Sequence, residues 1–275
     1  LTVSGIVYNE MKGAYSSPEG LMVKALQQNL FPDNPYGFDS GGDPEAIPQL
    51  TWEQLREFHR LYYSPSNAYF FLYGSIPTEE HLAFLEGVLA GFGRVRVDSA
   101  IGLQPRWDKP RAARDCFPIA KGDSPARKSA VNLAWMAAEN TQPDEVLLLR
   151  VVAHALVGTA AGPLRKALVD SGLGEDLSPV TGLEPDLRQV VFGVGLRGTD
   201  PDRKEAIEQL VLKTLEDLSR TGFDRDLIEA ALHQVEFHGR EIVRGAYPYG
   251  ITLMSRVFHT WLYDGDPLAP LKFNP

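Results

Sequence analysis

Cysteine is almost absent from this sequence, since its 275 residues include one, Cys116. A single thiol excludes an internal disulfide and a cysteine-based zinc site, and it suits a reducing compartment. Long apolar runs are also missing, because none approaches the ~20 residues of a membrane-spanning helix. The first residues lack the basic and apolar segments of a signal peptide. We therefore expect a cytoplasmic protein with no membrane partner.

Positive charge is in deficit. The chain has 27 Lys and Arg residues against 36 Asp and Glu, which gives a net charge of -9. Non-specific nucleic-acid binding needs clustered basic residues, so no nucleic-acid partner is expected. Hydrophobic residues make up 44% of the chain and charged residues 23%, which is a globular balance with enough apolar material for a sizeable core. The length suggests two ordinary domains or one large one.

Hydrophobic periodicity predicts strands and helices in groups. The predicted strands cover residues 68–73, 115–120, 130–136, 177–181 and 189–196; the predicted helices cover residues 18–30, 52–61, 77–89, 144–156, 162–170, 203–219, 225–244 and 249–262. Residues 3–8 fit either a short strand or the buried start of a helix. The grouping predicts an α+β fold, a layered antiparallel-rich sheet with packed helices.

Two local sequence features lie between the predicted helices at residues 18–30 and 52–61. Residues 31–50 are rich in proline, glycine and aspartate and predict a long loop, of the kind that is functional or wraps another element. Thr51 follows as a helix cap, with Gln54 at the position that completes a capping box.

Three stretches, taken in their order, resemble one family. They are G-I-V-Y-N-E-M-K-G-A-Y at residues 5–15; N-P-Y-G-F-D-S-G-G-D-P at 34–44 with Y-Y-S-P-S-N-A at 62–68; and G-P-L-R-K-A-L at 162–168 with S-G-L-G at 171–174. The set extends over essentially the whole chain. It resembles the presequence-protease branch of the pitrilysin and insulin-degrading-enzyme superfamily of zinc metallopeptidases.

The resemblance implies part of a zinc-dependent metalloendopeptidase that degrades short unfolded peptides. In that family an inverted motif, H-x-x-E-H, supplies two histidine ligands and a glutamate general base, and a later glutamate is the third zinc ligand. This sequence contains no H-x-x-E-H. Glu10, in N-E-M-K-G, matches the later glutamate and carries over as the metal ligand. The catalytic residues are expected upstream, and the chain alone is expected to be inactive.

The resemblance also implies a domain division. Residues 1–67 would be the C-terminal part of the catalytic zinc domain, residues 68–262 a second, non-catalytic domain of the mitochondrial-processing-peptidase-like type, and residues 263–275 the start of a linker. The implied partners are peptide substrates, and the missing N-terminal segment and second half of the same protein. The mitochondrial matrix and the chloroplast stroma stay open as alternative compartments. A non-catalytic paralogue that binds peptides or assembles with a subunit is the alternative function.

Other candidate sites favour structural interpretations. His233 and His238 imitate a zinc motif, but helix positions five apart face about 140° apart, which argues against shared metal binding. Lys166 near several glycines falls inside a predicted helix, without the G-K-[ST] of a phosphate loop. His154 lies in an apolar helix and is expected to be a satisfied core histidine. Cys116 lacks the basic context of a reactive thiol.

Overall fold

The computed structural model describes residues 4–242, 245 and 247–272. The α-helices in these residues are α1 (Ile6–Ala14), α2 (Pro18–Leu30), α3 (Trp52–Tyr62), α4 (Thr78–Leu89), α5 (Pro143–Ala153), α6 (Pro163–Asp170), α7 (Lys204–Thr221), α8 (Arg225–Arg240) and α9 (Tyr249–Trp261). The strands are β1 (Ser129–Glu139), β2 (Asp176–Leu177), β3 (Gly182–Glu184) and β4 (Gln189–Thr199). The predicted α+β class is confirmed.

Strand β4 is the centre of the sheet. Strand β1 pairs with one of its edges, with Ala134 opposite Gly193. The short strands β2 and β3 pair one after the other with its second edge, and all three pairings are antiparallel. The predicted antiparallel-rich sheet is therefore confirmed.

The main core lies between the sheet and helices α6 and α7. Each helix contributes two buried side chains spaced four residues apart, so that both point to one face. The fully buried members are Leu164, Leu168, Val194, Leu196, Ile207 and Val211. Burial of each such side chain stabilises the fold by roughly 1.5–3 kcal/mol. The core thus fixes the sheet to the two helices.

The predicted capping box is present at the start of α3. Thr51 Oγ1 accepts a hydrogen bond from the Gln54 N–H, and Gln54 Oε1 accepts one from the Thr51 N–H. The loop before it, residues 31–50, lies against distant parts of the chain, as the composition predicted. Phe31 is fully buried, and Asn34 donates to the carbonyl of Gly102.

The predicted strand at residues 68–73 is wrong, because this aromatic run contacts helix α9 instead of pairing in the sheet. The rings of Tyr69 and Trp261 meet edge to face at 4.6 Å between centroids. Phe71 meets Phe258 in the same way at 6.5 Å. An apolar run is compatible with either arrangement, so periodicity alone could not separate them.

Three other predictions need correction. Residues 115–120 form no strand. The strand predicted at 177–181 is reduced to β2 and a turn, because the chain reverses before Gly182, whose φ is +134°. The apolar start of the chain enters helix α1, but its side chains are not buried, since Ile6 is 88% exposed. Residues 3, 243 and 244 of the predicted elements lie outside the described residues.

Residues Pro143–Asp170 are long and apolar enough to pass for a membrane span, which the sequence reading did not expect. The segment is interrupted, because α5 ends in a π-helical turn (His154–Gly158) and the chain bends before α6. Its buried side chains also belong to the core, Leu156 and Leu164 among them. These are the features of a core helix pair in a globular domain.

Candidate functional site

Glu10 lies in the middle of α1, and its side chain is exposed. Among the residues that the structure describes, none donates a hydrogen bond to its carboxylate or forms an ion pair with it. Lys12, two positions on, is directed towards Tyr8, with its ammonium 5.7 Å from the ring centroid. The Glu10 carboxylate therefore keeps all its lone pairs available to a ligand.

The helix face around Glu10 is unusually apolar for an exposed surface. Ile6 and Val7 precede Glu10 by four and three residues, the spacings that place helical side chains next to one another. Ile6 is 88% exposed and Val7 55% exposed. A free carboxylate next to two exposed apolar side chains is the pattern of a face that another element covers.

The neighbouring side of α1 is held in place. Met11 is its buried residue, at 8% exposure. Its thioether lies against Gly41, where an added Cβ would come 2.9 Å from the methionine methyl carbon. Tyr15, directly after the helix, lies under the ammonium of Lys24, 3.9 Å from the ring centroid. Glu10 is consequently presented on an anchored helix.

In the described part of the chain, the residues fit a single zinc ligand and do not form a zinc site. A catalytic zinc takes three protein ligands and keeps one position for water. Within residues 4–242, 245 and 247–272, no three His, Cys, Asp or Glu side chains come together in a way that could hold a metal. Glu10 can supply a single carboxylate oxygen, and the other ligands would have to come from outside these residues.

The two histidines of α8 make contacts along their own helix. His238 Nδ1 lies 2.7 Å from the Gln234 carbonyl oxygen, one turn earlier. His233 Nδ1 lies 4.0 Å from Glu236 Oε2, and its side chain is 80% exposed. The pair shares no face, as the five-residue spacing predicted.

Two other sequence interpretations have mixed outcomes. Lys166 lies inside α6, as predicted, and Gly172 follows that helix with φ +65°, the left-handed conformation that favours glycine after a helix end. His154, by contrast, is not the satisfied core histidine that was expected. Its Nε2 is buried without a hydrogen-bond partner in the described part of the chain, at the π-helical turn. The turn directs the ring against Gly158.

A groove of about 1720 Å³ opens between α5, α8, α9 and β3. Its polar wall contains Arg150, to which no hydrogen bond or ion pair is made by any described residue. Asn140, 3% exposed, donates to the His259 carbonyl at 2.6 Å, while its own Oδ1 has no partner among the described residues. The groove offers a cation and hydrogen-bonding groups, and among its described lining residues no nucleophile is hydrogen-bonded to a base.

The charges beside the groove are coupled. Nε2 of His259 lies 3.0 Å from Oδ1 of Asp186, and this hydrogen bond holds the pKa of Asp186 below its ordinary value against the effect of burial. Burial lowers the pKa of the Arg150 guanidinium. The sequence reading missed this cluster, because its members are far apart in sequence and share no motif.

The fold is an α+β domain, and the part of the chain that the structure describes holds no complete metal site. The sequence model of the Peptidase M16 inactive domain matches residues 49–235. The chain therefore belongs to the M16 peptidase family, and its matched part is the inactive type of domain. Glu10 lies outside the matched residues.

Curated relatives match the entire chain. Presequence protease 1, chloroplastic/mitochondrial, of Arabidopsis thaliana is 38% identical over 277 residues, which are 100% of this chain and 26% of that protein. The mitochondrial presequence protease of Mus musculus is 38% identical, with coverage of 100% and 26%. Protein HypA of Clostridium perfringens is 38% identical, with coverage of 100% and 28%. The chain spans about a quarter of the length of these relatives.

Solved structures agree on the fold. The peptidase M16 inactive domain from Pseudomonas fluorescens superposes with a TM-score of 0.69 at 21% identity, over 97% of this chain and 61% of that one. A protease from Helicobacter pylori gives 0.60 at 15% identity, over 97% and 66%. At these identities the likeness establishes the architecture alone.

Proposed function

We propose that this chain is part of a longer zinc metalloendopeptidase that degrades short unfolded peptides, and that Glu10 is its third zinc ligand. The observation that supports this proposal most directly is the exposed, unpaired Glu10 carboxylate on an anchored helix. The full-length similarity to presequence proteases supports the proposal, because those proteins are named for cleaving presequences.

In this proposal the chain contributes one part of the chemistry. When bound, zinc supplies an activated water for attack on the peptide bond. The Glu10 carboxylate would hold one metal position through an oxygen and would neutralise part of the metal charge. The two histidine ligands and the general base would come from a segment upstream of residue 1, so the chain alone would not cleave peptides.

The expected partner regions fit the exposed apolar faces of the N-terminal part. No residue of α3 is buried, although it carries Trp52, Leu55 and Phe58 at 65%, 59% and 55% exposure. Side chains of this kind mark surfaces that another element covers. We propose that the missing segments of the same protein cover them, together with the Glu10 face.

The names of two relatives bear on the compartment. Those named for mitochondria and chloroplasts favour the organellar alternatives, and the cytoplasmic expectation gains no support from them.

The test is peptide cleavage by the intact protein. We expect it to cut an unstructured peptide and to spare a folded protein that contains the same segment. A chelator should abolish cleavage and added zinc should restore it. The 275-residue chain should be inactive under the same conditions.

The alternative, a non-catalytic module that binds peptides, has one observation in its favour. The groove beside Arg150 is open, and no described residue makes a hydrogen bond or an ion pair to the Arg150 guanidinium. If the zinc-supplied intact protein binds peptides without cutting them, and Arg150→Met weakens that binding, the alternative replaces the peptidase proposal. Arg60→Met on α3 is the control, because Arg60 lies outside the groove and is paired with Glu57.

A further inference from the structure

We propose that residues 31–43, here called the strap, are a positioning element that holds the Glu10 helix at a fixed place on the sheet. Residues of the second predicted domain would then act on the metal ligand without touching the metal. The inference rests on the proposed function, and it concerns a segment to which the family model assigns nothing.

The first end of the strap is tied to the start of β4 through a pair of buried amides. Gln104, 1% exposed, exchanges two hydrogen bonds with Asp33: it accepts from the Asp33 N–H at 2.9 Å and donates to the Asp33 carboxylate at 2.6 Å. The Gln104 backbone exchanges two more with the Gln189 side chain, at 2.7 and 3.0 Å. Because Gln189 opens β4, the strap is fastened to the central strand.

A second tie follows three residues later. The Tyr36 hydroxyl accepts a hydrogen bond from the Arg188 N–H at 2.9 Å, and it also hydrogen-bonds the Tyr263 hydroxyl. The Tyr36 ring meets the fully buried Phe31 edge to face, at 5.5 Å between centroids. Burial and the hydrogen bond with Tyr36 raise the pKa of Tyr263, so the Tyr263 hydroxyl stays protonated at neutral pH. This end of the strap is therefore rigidly placed.

The other end of the strap holds α1. Gly41 lies against the buried Met11, and the absence of a Cβ at Gly41 makes that approach possible. Asp43 accepts a hydrogen bond from Lys24 at 3.0 Å, and the same ammonium lies over the Tyr15 ring. Met11 of α1 is thereby attached to this short segment directly, and Tyr15, just after the helix, is attached to it through Lys24.

These contacts determine how precisely Glu10 is positioned. Glu10 precedes Met11, so a shift of Met11 moves the Glu10 backbone with it. Metal ligands tolerate displacements of only about 0.2 Å from ideal distances. Changes to groups that orient a metal ligand typically weaken metal binding by about 10–100-fold. The strap contacts are of this orienting kind.

The experiment measures zinc affinity of the intact protein and hydrogen–deuterium exchange of α1 in Tyr36→Phe and Asp43→Asn. Both substitutions keep side-chain size, and using two of them guards against one failing to fold. We expect zinc affinity to fall at least about tenfold and the α1 amides to exchange faster. Arg60→Met, which removes the exposed ion pair with Glu57, is the control and should change neither.

The outcomes separate the two proposals. If both variants fold and keep the parent's zinc affinity and α1 exchange, the strap does not position Glu10 and the inference is overturned. A merely structural strap would lower the thermal midpoint while zinc affinity below that midpoint stayed unchanged, which also overturns it. If Glu10→Gln itself keeps its zinc, it is the proposed function that fails. If Glu10→Gln loses zinc and the strap variants do not, the positioning inference alone fails.

Discussion

The Lys24 ammonium nitrogen lies 3.0 Å from a carboxylate oxygen of Asp43, and this ion pair joins α2 to the strap. Burial opposes the charge of Lys24, but its contacts with Tyr15 and Asp43 outweigh burial and raise its pKa. The pKa of Asp43 is lowered mainly by the hydrogen bond from the Glu45 N–H, and next by the hydrogen bond from Lys24. Both groups are thus charged more readily in the folded chain than in the unfolded one.

The first prediction concerns the pH dependence of this pair. A lowered carboxyl pKa contributes stability that is complete above the ordinary value of 3.8 and is lost as pH falls through the folded value. A raised lysine pKa contributes stability that is complete below 10.5 and is lost as pH rises through the folded value. Between these limits, Asp43→Asn should reduce the unfolding free energy by up to about 1 kcal/mol, since the pair is partly solvated.

Urea unfolding of the parent chain and Asp43→Asn at several pH values measures this difference. It should be constant through neutral pH and shrink below the ordinary carboxyl pKa. Asp98→Asn, which changes an exposed carboxylate without a described partner, should have no effect. A difference that grows in acid would contradict the assignment.

The second prediction concerns the core between α7 and the sheet. Ile207 is fully buried there, whereas Leu212 on the same helix is 47% exposed. Ile207→Ala should lower the unfolding free energy by about 2–5 kcal/mol, because a cavity remains where the side chain was. Leu212→Ala should cost less than about 1 kcal/mol. Equal losses in a urea titration would show that the core is misplaced.

The third prediction concerns the end of α7. Gly222 follows the helix with φ +75°, a region that favours glycine, and its N–H donates to the Leu218 carbonyl at 2.8 Å. Gly222→Ala should destabilise the chain by about 1–3 kcal/mol through backbone strain. Gly87→Ala, inside α4 with nothing near the added Cβ, should instead stabilise it by up to about 1 kcal/mol. Thermal unfolding of the two variants should shift in opposite directions, and a shared direction would refute the assignment.

Features of local origin could be predicted from the sequence. The capping box at Thr51 depends on residues three apart, and helix α2 begins at Pro18 and ends at Leu30 as predicted. The α+β class followed from the order of such elements. The division of the chain at residues 67 and 262 stays a prediction.

Features that depend on distant partners could not be predicted. The aromatic run at residues 68–73 contacts α9, which lies near the other end of the chain. Its apolar pattern therefore led to the wrong prediction of a strand. The strap contacts join Gln104 to Gln189, 85 residues apart. Glu10 was identified through resemblance to a family motif, and its exposure and freedom from partners became visible only in three dimensions.

The most direct measurement is the zinc content of the intact protein beside its Glu10→Gln and Glu53→Gln variants. Both glutamates are exposed on helices of the N-terminal part, so the two substitutions match in charge and setting. We predict about one bound zinc in the parent and in Glu53→Gln, and its loss in Glu10→Gln. Full zinc in Glu10→Gln, or none in the parent, would contradict the assignment of Glu10 as the third ligand.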